Sequence, residues 1–273
     1  MSTRVRLLPL GFLALLGFAA HRDDRAEIEI VYLANEGFLV SAGDTKLLID
    51  AFVAEPYGEY AALPVDLHAD MVAARAPFDG VDLALTSHFH RDHFQASSAA
   101  EYLKAQASVP FLSAPDVIDL LAKQLGEGGV RENVRALLPE PEKTLAAEEG
   151  SIDVELLRLP HGVTDNGVQN LGHVIELGDA RLLHVGDSDV RAADLVAYRL
   201  PERAIDVAFL PYWWLMDADS VQLSRERTGA KHIVAMHVPP AEVAAVKHQL
   251  TQVDPAIVVF ERAGETRTLR LEK

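Results

Sequence analysis

Val81-Asp82-Leu83-Ala84-Leu85-Thr86-Ser87-His88-Phe89-His90-Arg91-Asp92-His93 is an apolar run that ends in four candidate metal ligands within six positions. The run from Val81 to Thr86 reads as a short buried strand. In an extended segment side chains alternate, so His88 and His90 project to one side, and a following turn brings Asp92 and His93 around the same cavity. A His-x-His-x-Asp-His spacing of this kind suits two neighbouring ions. Loops that cap buried strands are where functional groups are held, and a merely solvated loop has no need of clustered histidines.

Working outward, the 273-residue chain is 49% hydrophobic, ample for a packed interior and against a disordered or fibrous protein. Lys plus Arg number 25 against 41 Asp plus Glu, a formal charge of −16, which opposes neutralisation of phosphate backbones and argues against nucleic acid as a partner. There is no cysteine. Thiolate zinc sites, thiol nucleophiles, disulfides and Cys-ligated iron–sulfur clusters are excluded together, and any metal must be held by His, Asp or Glu.

Three further residues close apolar runs in the same manner: His161 after Leu159-Pro160, Asp187 after His184-Val185-Gly186, and His237 after Ala235-Met236. Singly each is ordinary, since a strand-end histidine is more often structural and Gly-Asp is a common turn. In order they are more telling. The series His-x-His-x-Asp-His, later His, Asp after a strand, final His resembles the metallo-β-lactamase superfamily, within it the general hydrolase branch that includes lactonase-like enzymes. The resemblance runs from about Ile28 to the C-terminus. It implies an α+β fold, a four-layer αββα sandwich with metals at one edge of two sheets. It further implies that His88, His90 and His161 hold one metal and Asp92, His93 and His237 the second, with Asp187 bridging. The β-lactamases of the superfamily lack that bridging aspartate, which argues against antibiotic hydrolysis. Some lactonase-like relatives carry Gly-His before an apolar strand, where this chain reads Ala34-Asn35-Glu36-Gly37, so their substrates do not transfer.

The N-terminus joins Arg4 and Arg6 to an apolar run from Leu7 to Ala20, followed by His-Arg-Asp-Asp-Arg. Residues 1–20 are read as a secretory signal, with small residues Gly17 and Ala19 near a processing site, leaving a single domain over 21–273. The expectation is a periplasmic or secreted protein without stable membrane association after signal removal. From Ile28, Gly37 and Lys46 three strands form a meander. Later strands are expected at 82–86, 109–112, 154–159, 171–177, 181–185, 205–210, 232–236 and 256–260. Ser98 and Glu101 read as a capping box, and Ser113, Pro115 and Asp116 as a helix start that Gly126 stops. Shorter helical signals fall at 194–198 and 241–250, and no internal repeat is evident.

His and carboxylate coordination suits zinc first, and also manganese or iron. Two such ions lower the pKa of a bridging water from about 15.7 toward roughly 7, so a bridging hydroxide is the expected nucleophile on an ester, lactone, amide or phosphodiester. Asp92 counts as catalytic as well as a ligand, because it can orient the attacking water or take its proton. Tyr212, Trp213 and Trp214 are the candidate substrate contacts, since two adjacent tryptophans cannot easily both face inward. The expected partner is a small-molecule substrate. Asp50 ends a strand and is read as a carboxylate that orients a ligand histidine, while His173 and His184 read as buried hydrogen-bonding residues. Competing readings are a di-iron redox protein, which needs an electron-delivering partner or flavin domain, and a non-catalytic binding protein that keeps the metal scaffold.

Overall fold

The computed structural model describes residues 27–271. The proposed signal segment therefore lies outside the described residues. Runs of Val, Ile and Leu bounded by Gly- and Asp-containing turns set the first half: β1 (Glu27–Ala34), β2 (Gly37–Ala42), β3 (Thr45–Ile49), α1 (Val65–Val72), β4 (Leu83–Leu85), α2 (Ala96–Ala105), β5 (Phe111–Ser113), α3 (Pro115–Leu125) and β6 (Val134–Ala136). The second half runs β7 (Thr144–Glu149), β8 (Ile152–Leu159), β9 (Asn170–Leu177), β10 (Ala180–His184), β11 (Val207–Pro211), α4 (Ala218–Thr228), β12 (His232–Met236), α5 (Val243–Val253) and β13 (Val258–Val259). The final strand, β14 (Thr266–Arg270), crosses back.

Two seven-stranded sheets result, ordered β14-β1-β2-β3-β4-β5-β6 and β13-β12-β11-β10-β9-β8-β7. In each, an antiparallel meander gives way to parallel strands joined by helices, at β3–β4 in the first sheet and β10–β11 in the second. The halves thus share a connectivity that no repeat in the sequence announces. Alternation along the strands builds the layers: Leu47 and Ile49 face the second sheet, while Leu48 between them joins Met71, Tyr102 and Leu121 beneath α1–α3. Phe38 of β2 meets Phe209 of β11 at 4.8 Å between centroids, pinning sheet to sheet. Val221 of α4 and Leu250 of α5 cover the second sheet, completing four layers. Each such fully buried side chain contributes about 1.5–3 kcal/mol of burial.

Several elements depart from the sequence reading. The capping box at Ser98 does not form, because α2 begins at Ala96 behind Gln95, leaving Ser98 buried within the helix. β7 and β14 pass unread because both are mostly exposed edge strands, rich in Thr, Arg, Ala and Glu. α4 buries only Val221, Ser224 and Thr228, so it lacks an apolar stripe, although Asp217 caps its start and Gly229 its end. Among the described residues no helix is long and apolar enough to cross a membrane.

Candidate metal centre

The site forms where strands end along one edge of the sandwich. His88 and His90 follow β4, Asp92 and His93 occupy the next turn, His161 follows β8, Asp187 follows β10 and His237 follows β12. Backbone bonds lace these loops across the two sheets: Leu171 N–H donates to Ser87 O at 2.9 Å, Gly162 N–H to Asp187 O at 2.7 Å, and His237 N–H to Asn35 O at 3.0 Å. The Ser87 bond locks the early histidine loop against a residue 84 positions away, and the Asn35 bond joins residues 202 positions apart. Asn35, Asp50 and His237 all sit at positive φ, at 53°, 46° and 62°. Such conformations cost energy outside glycine and persist where surrounding structure imposes them. Gly186 is obligatory here: its φ is +54° and a Cβ would lie 2.2 Å from Asn170 Oδ1, the atom that accepts from Asp187 N–H.

All seven expected ligands converge. His88, His90, His161 and Asp187 form one group, with donor atoms all within 4.8 Å of one another, and Asp92, His93 and His237 form a second. His88 Nε2 lies 3.1 Å from His90 Nδ1, and His161 Nε2 lies 3.2 Å from Asp187 Oδ2. On the other side His93 Nε2 faces His237 Nε2 at 3.2 Å. Asp187 stands between, with Oδ2 3.4 Å from His93 Nε2 and Oδ1 3.2 Å from His237 Nε2. Asp92 Oδ2 lies 3.4 Å from His237 Nε2.

Asp50 decides which nitrogens can act. It accepts from Ser87 N–H at 2.7 Å, Ser87 Oγ–H at 2.6 Å and His93 Nδ1–H at 3.0 Å. With its proton given to Asp50, Ser87 Oγ accepts from His88 Nδ1–H at 3.1 Å. Both imidazoles are held with Nδ1 protonated, so their Nε2 lone pairs point into the site, the arrangement that metal-ligating histidines require. Burial works against charge on Asp50, yet the bonds from His93 and Ser87 keep it below the usual carboxylate range.

Facing lone pairs at 3.1–3.2 Å repel unless a cation or proton lies between them, and His161 Nε2 and Asp187 Oδ1 are buried without a hydrogen-bond partner. Without cations, protons fill that role. Burial opposes the charge on His93, but Asp187 and Glu36 outweigh it and hold the imidazole well above its ordinary range. Against the same burial, Asp187 and Asp92 push His237 up to about 10. Asp187 goes the other way: burial opposes its charge, but His93 and His237 pull it well below 3.8. The residues present fit a pair of cations.

Glu36 is the unread member of this region. It is fully buried in the β1–β2 turn, neither carboxylate oxygen has a hydrogen-bond partner, and Oε2 lies 3.5 Å from His93 Nδ1. Burial and then Asp187 drive its pKa well above the ordinary value. Glu36, Asp50 and His184 lie close enough to suggest a third cation. His184 cannot serve as a ligand there, however. His184 Nδ1 accepts from Gly186 N–H and its Nε2 donates to Glu36 O, both at 3.3 Å, which leaves no free lone pair. His173 is buried with neither nitrogen partnered, and burial pushes it down to about 3, so it is a neutral core residue.

The aromatic segment divides. Trp214 is fully buried and its indole N–H donates to Ser188 O at 2.8 Å. It is therefore a core residue, a correction to its reading as a substrate contact. Trp213 and Tyr212 remain half-buried, and Trp213 sits edge-on to His237 with centroids 5.0 Å apart. Tyr60, which the sequence did not single out, packs the same ring at 4.5 Å. Of the polar residues after His161, Asn166 bonds the His161 carbonyl and Asn170 is buried, donating to Val185 O, whereas Gln169 accepts from Asp116 N–H.

Solved structures with this fold include Igni18, a metallo hydrolase from Ignicoccus hospitalis, at TM-score 0.61 and 21% identity over 90% of this chain and 100% of that one. An isothiocyanate hydrolase from Delia radicum gut bacteria matches at TM-score 0.55 and 17% identity, over 89% and 99%. CmlA, a diiron β-hydroxylase from Streptomyces venezuelae, matches at 0.50 and 15%, over 90% of this chain and 54% of that one. Residues 45–260 match the family described as Beta-lactamase superfamily domain. On that match, which covers most of the chain, and on the paired sheets that carry it, the protein belongs to the metallo-β-lactamase superfamily.

Proposed function

We propose that this chain is a dinuclear metal-dependent hydrolase acting on an ester, lactone, amide or phosphodiester of a small molecule. The observation that carries the reading is the convergence of seven His and Asp side chains, from four strand ends and one turn, with their ring nitrogens and carboxylate oxygens gathered into two adjoining groups. His88, His90 and His161 would hold one divalent cation and Asp92, His93 and His237 the other, with Asp187 between them. When bound, a cation pair acidifies water and polarises the scissile carbonyl or phosphoryl group. Zinc suits this thiolate-free set, as do manganese and iron.

The protein's own part is positional. Asp50 and Ser87 fix the tautomers of His93 and His88, so no reorganisation is needed when a ligand arrives. Asp92, its backbone carbonyl held by Asn35 Nδ2 at 3.0 Å, keeps a carboxylate at the edge of the site where it can orient water and accept a proton. Residues 1–20 are proposed to direct export to the periplasm or exterior.

Metal analysis of the purified protein, followed by chromogenic esters, lactones and phosphodiesters, tests the proposal. Two equivalents of metal and turnover that chelation abolishes are expected, and turnover by metal-free protein would overturn it. A His and carboxylate set without sulfur also suits two irons, and a diiron β-hydroxylase shares the fold. Two irons with oxygen-dependent absorption and no hydrolysis would favour that second reading.

A further inference from the structure

The two ligand groups differ in how they meet solvent. Asp92, His93 and His237 are 7%, 0% and 3% exposed, whereas in the other group His90 is half-buried and the His161 side chain is 21% exposed, leaving only His88 fully enclosed among its histidines. The five residues after Gly162, from Val163 to Gly167, are all exposed. Solvent therefore reaches the centre on the side of His90 and His161.

Support behind the rings is just as uneven. His93 Nδ1–H donates to the buried carboxylate of Asp50 at 3.0 Å, a charged acceptor that sets the ring before any cation arrives. His237 is held by its N–H to Asn35 O at 3.0 Å, and Tyr60 and Trp213 pack its ring edge-on with centroids 4.5 and 5.0 Å away. Asn35 also donates from Nδ2 to Asp92 O and to Ala61 O, both at 3.0 Å, and Gln95 pins Glu55 of the same loop at 2.9 and 2.6 Å. One asparagine thus ties two expected ligands to the loop that carries Tyr60.

The open group lacks such backing. Among the described residues His90 has one ring bond, between its Nδ1 and His88 Nε2. Asn166 lies beside His161 but presents the wrong end of its amide. Its Oδ1 accepts from Val168 N–H and its Nδ2 donates to His161 O, both at 3.2 Å, which leaves Nδ2 3.4 Å from His161 Nδ1. A cation on Nε2 puts the proton of a neutral imidazole on Nδ1, where it would face that donor. Loading His161 therefore requires Asn166 to turn, whereas His93 is already set.

Charge favours the same side. Asp187 is shared, but Asp92 and, behind His93, Asp50 add two carboxylates to the enclosed group, against three imidazoles in the open one. Carboxylates hold a divalent cation more firmly than neutral groups in the same place.

Resting on the dinuclear reading, we infer that the two cations are held unequally: the one among Asp92, His93 and His237 binds first and leaves last, while the one among His88, His90 and His161 exchanges. The centre can therefore carry two different metals at once.

The test follows metal loss from full-length protein loaded with two equivalents of Zn²⁺ and mixed with an excess of chromophoric chelator. Two phases of one equivalent each are expected, with rates about tenfold or more apart. His161→Ala should leave only the slow equivalent and His237→Ala only the fast one, while Asp50→Asn should quicken the slow phase about tenfold without moving the fast one. Protein freed of its fast equivalent and refilled with Co²⁺ should show one zinc and one cobalt by native mass spectrometry. Loss of both equivalents in one phase, a slow equivalent that depends on His161 and not on His237, a slow phase unmoved by Asp50→Asn, or scrambled zinc and cobalt would each overturn the inference. Uptake of fewer than two equivalents would overturn it together with the dinuclear reading. Two unequal phases without turnover of any ester, lactone or phosphodiester would sink the hydrolase reading alone, and a single phase with turnover would sink this inference alone.

Discussion

Asp50→Asn isolates what orients the proposed metal ligands. Asp50 is buried at φ 46°, a conformation that Asn tolerates as well as Asp, so the change leaves the backbone unstrained. The carboxamide oxygen can still accept from Ser87 N–H, but its NH2 now meets Ser87 Oγ and His93 Nδ1 where a carboxylate oxygen accepted at 2.6 and 3.0 Å. Two hydrogen bonds to a charged group, each worth about 1.5–3 kcal/mol, are lost or inverted, and a net destabilisation of about 2–4 kcal/mol is expected. His93 can relieve the donor–donor clash only by moving its proton to Nε2, which removes the lone pair aimed at the metal. Affinity on the side of Asp92, His93 and His237 should fall about 10–100-fold, or about 1.4–2.7 kcal/mol. Competition with a chromophoric chelator gives the affinity, and ¹⁵N imidazole shifts give the tautomer. Wild-type affinity with His93 still protonated at Nδ1 would refute the assignment of Asp50.

Other outcomes follow from the same geometry. His90→Ala removes a half-buried proposed ligand outside both apolar clusters, so activity and metal should be lost while the unfolding free energy of metal-free protein changes by less than about 1 kcal/mol; a collapsed circular dichroism spectrum would contradict this. His237 in metal-free protein is raised to about 10, above an unfolded value of about 6.5. Its contribution to stability is therefore complete below about pH 6.5 and lost as pH climbs toward 10, whereas metal affinity rises through that same window with release of protons. Thermal melts of chelated protein from pH 6 to 10, and calorimetry in buffers of different ionisation enthalpy, check both signs. Phe38→Ala, which empties the fully buried contact between β2 and β11, should cost about 3–5 kcal/mol by urea denaturation, and a loss under about 1 kcal/mol would show that the sheets are not pinned there.

Much of this architecture was legible because the candidate ligands sit at the ends of apolar strands, where sequence pattern is strongest. Leu83–Leu85 before His88 and His232–Met236 before His237 are buried or nearly buried runs, and Ile152–Leu159 before His161 alternates around buried Ile, Val and Leu, so each announces both strand and station. Asp50 was readable for the same reason, since a lone carboxylate closing Leu47-Leu48-Ile49 invites a buried partner. What escaped depends on three-dimensional context. Tyr60 lies in a polar, irregular loop whose tethers, Gln95 and Asn35, come from 35 and 25 residues away. Glu36 did carry a signal, a carboxylate inside the apolar Leu33–Leu39 stretch, but its approach to His93 depends on how the first hairpin meets the histidine loop. Trp213 and Trp214 are neighbours with opposite fates, and only the tight turn after β11 decides which indole turns inward.

The most direct measurement is a crystal structure of the full chain with anomalous diffraction recorded at the absorption edge of the bound metal. Two peaks about 3.5–4 Å apart are expected. One should lie among His88, His90 and His161 and the other among Asp92, His93 and His237, with Asp187 between them. A single peak, or density among Glu36, Asp50 and His184 instead, would contradict the dinuclear centre on which the proposed chemistry stands.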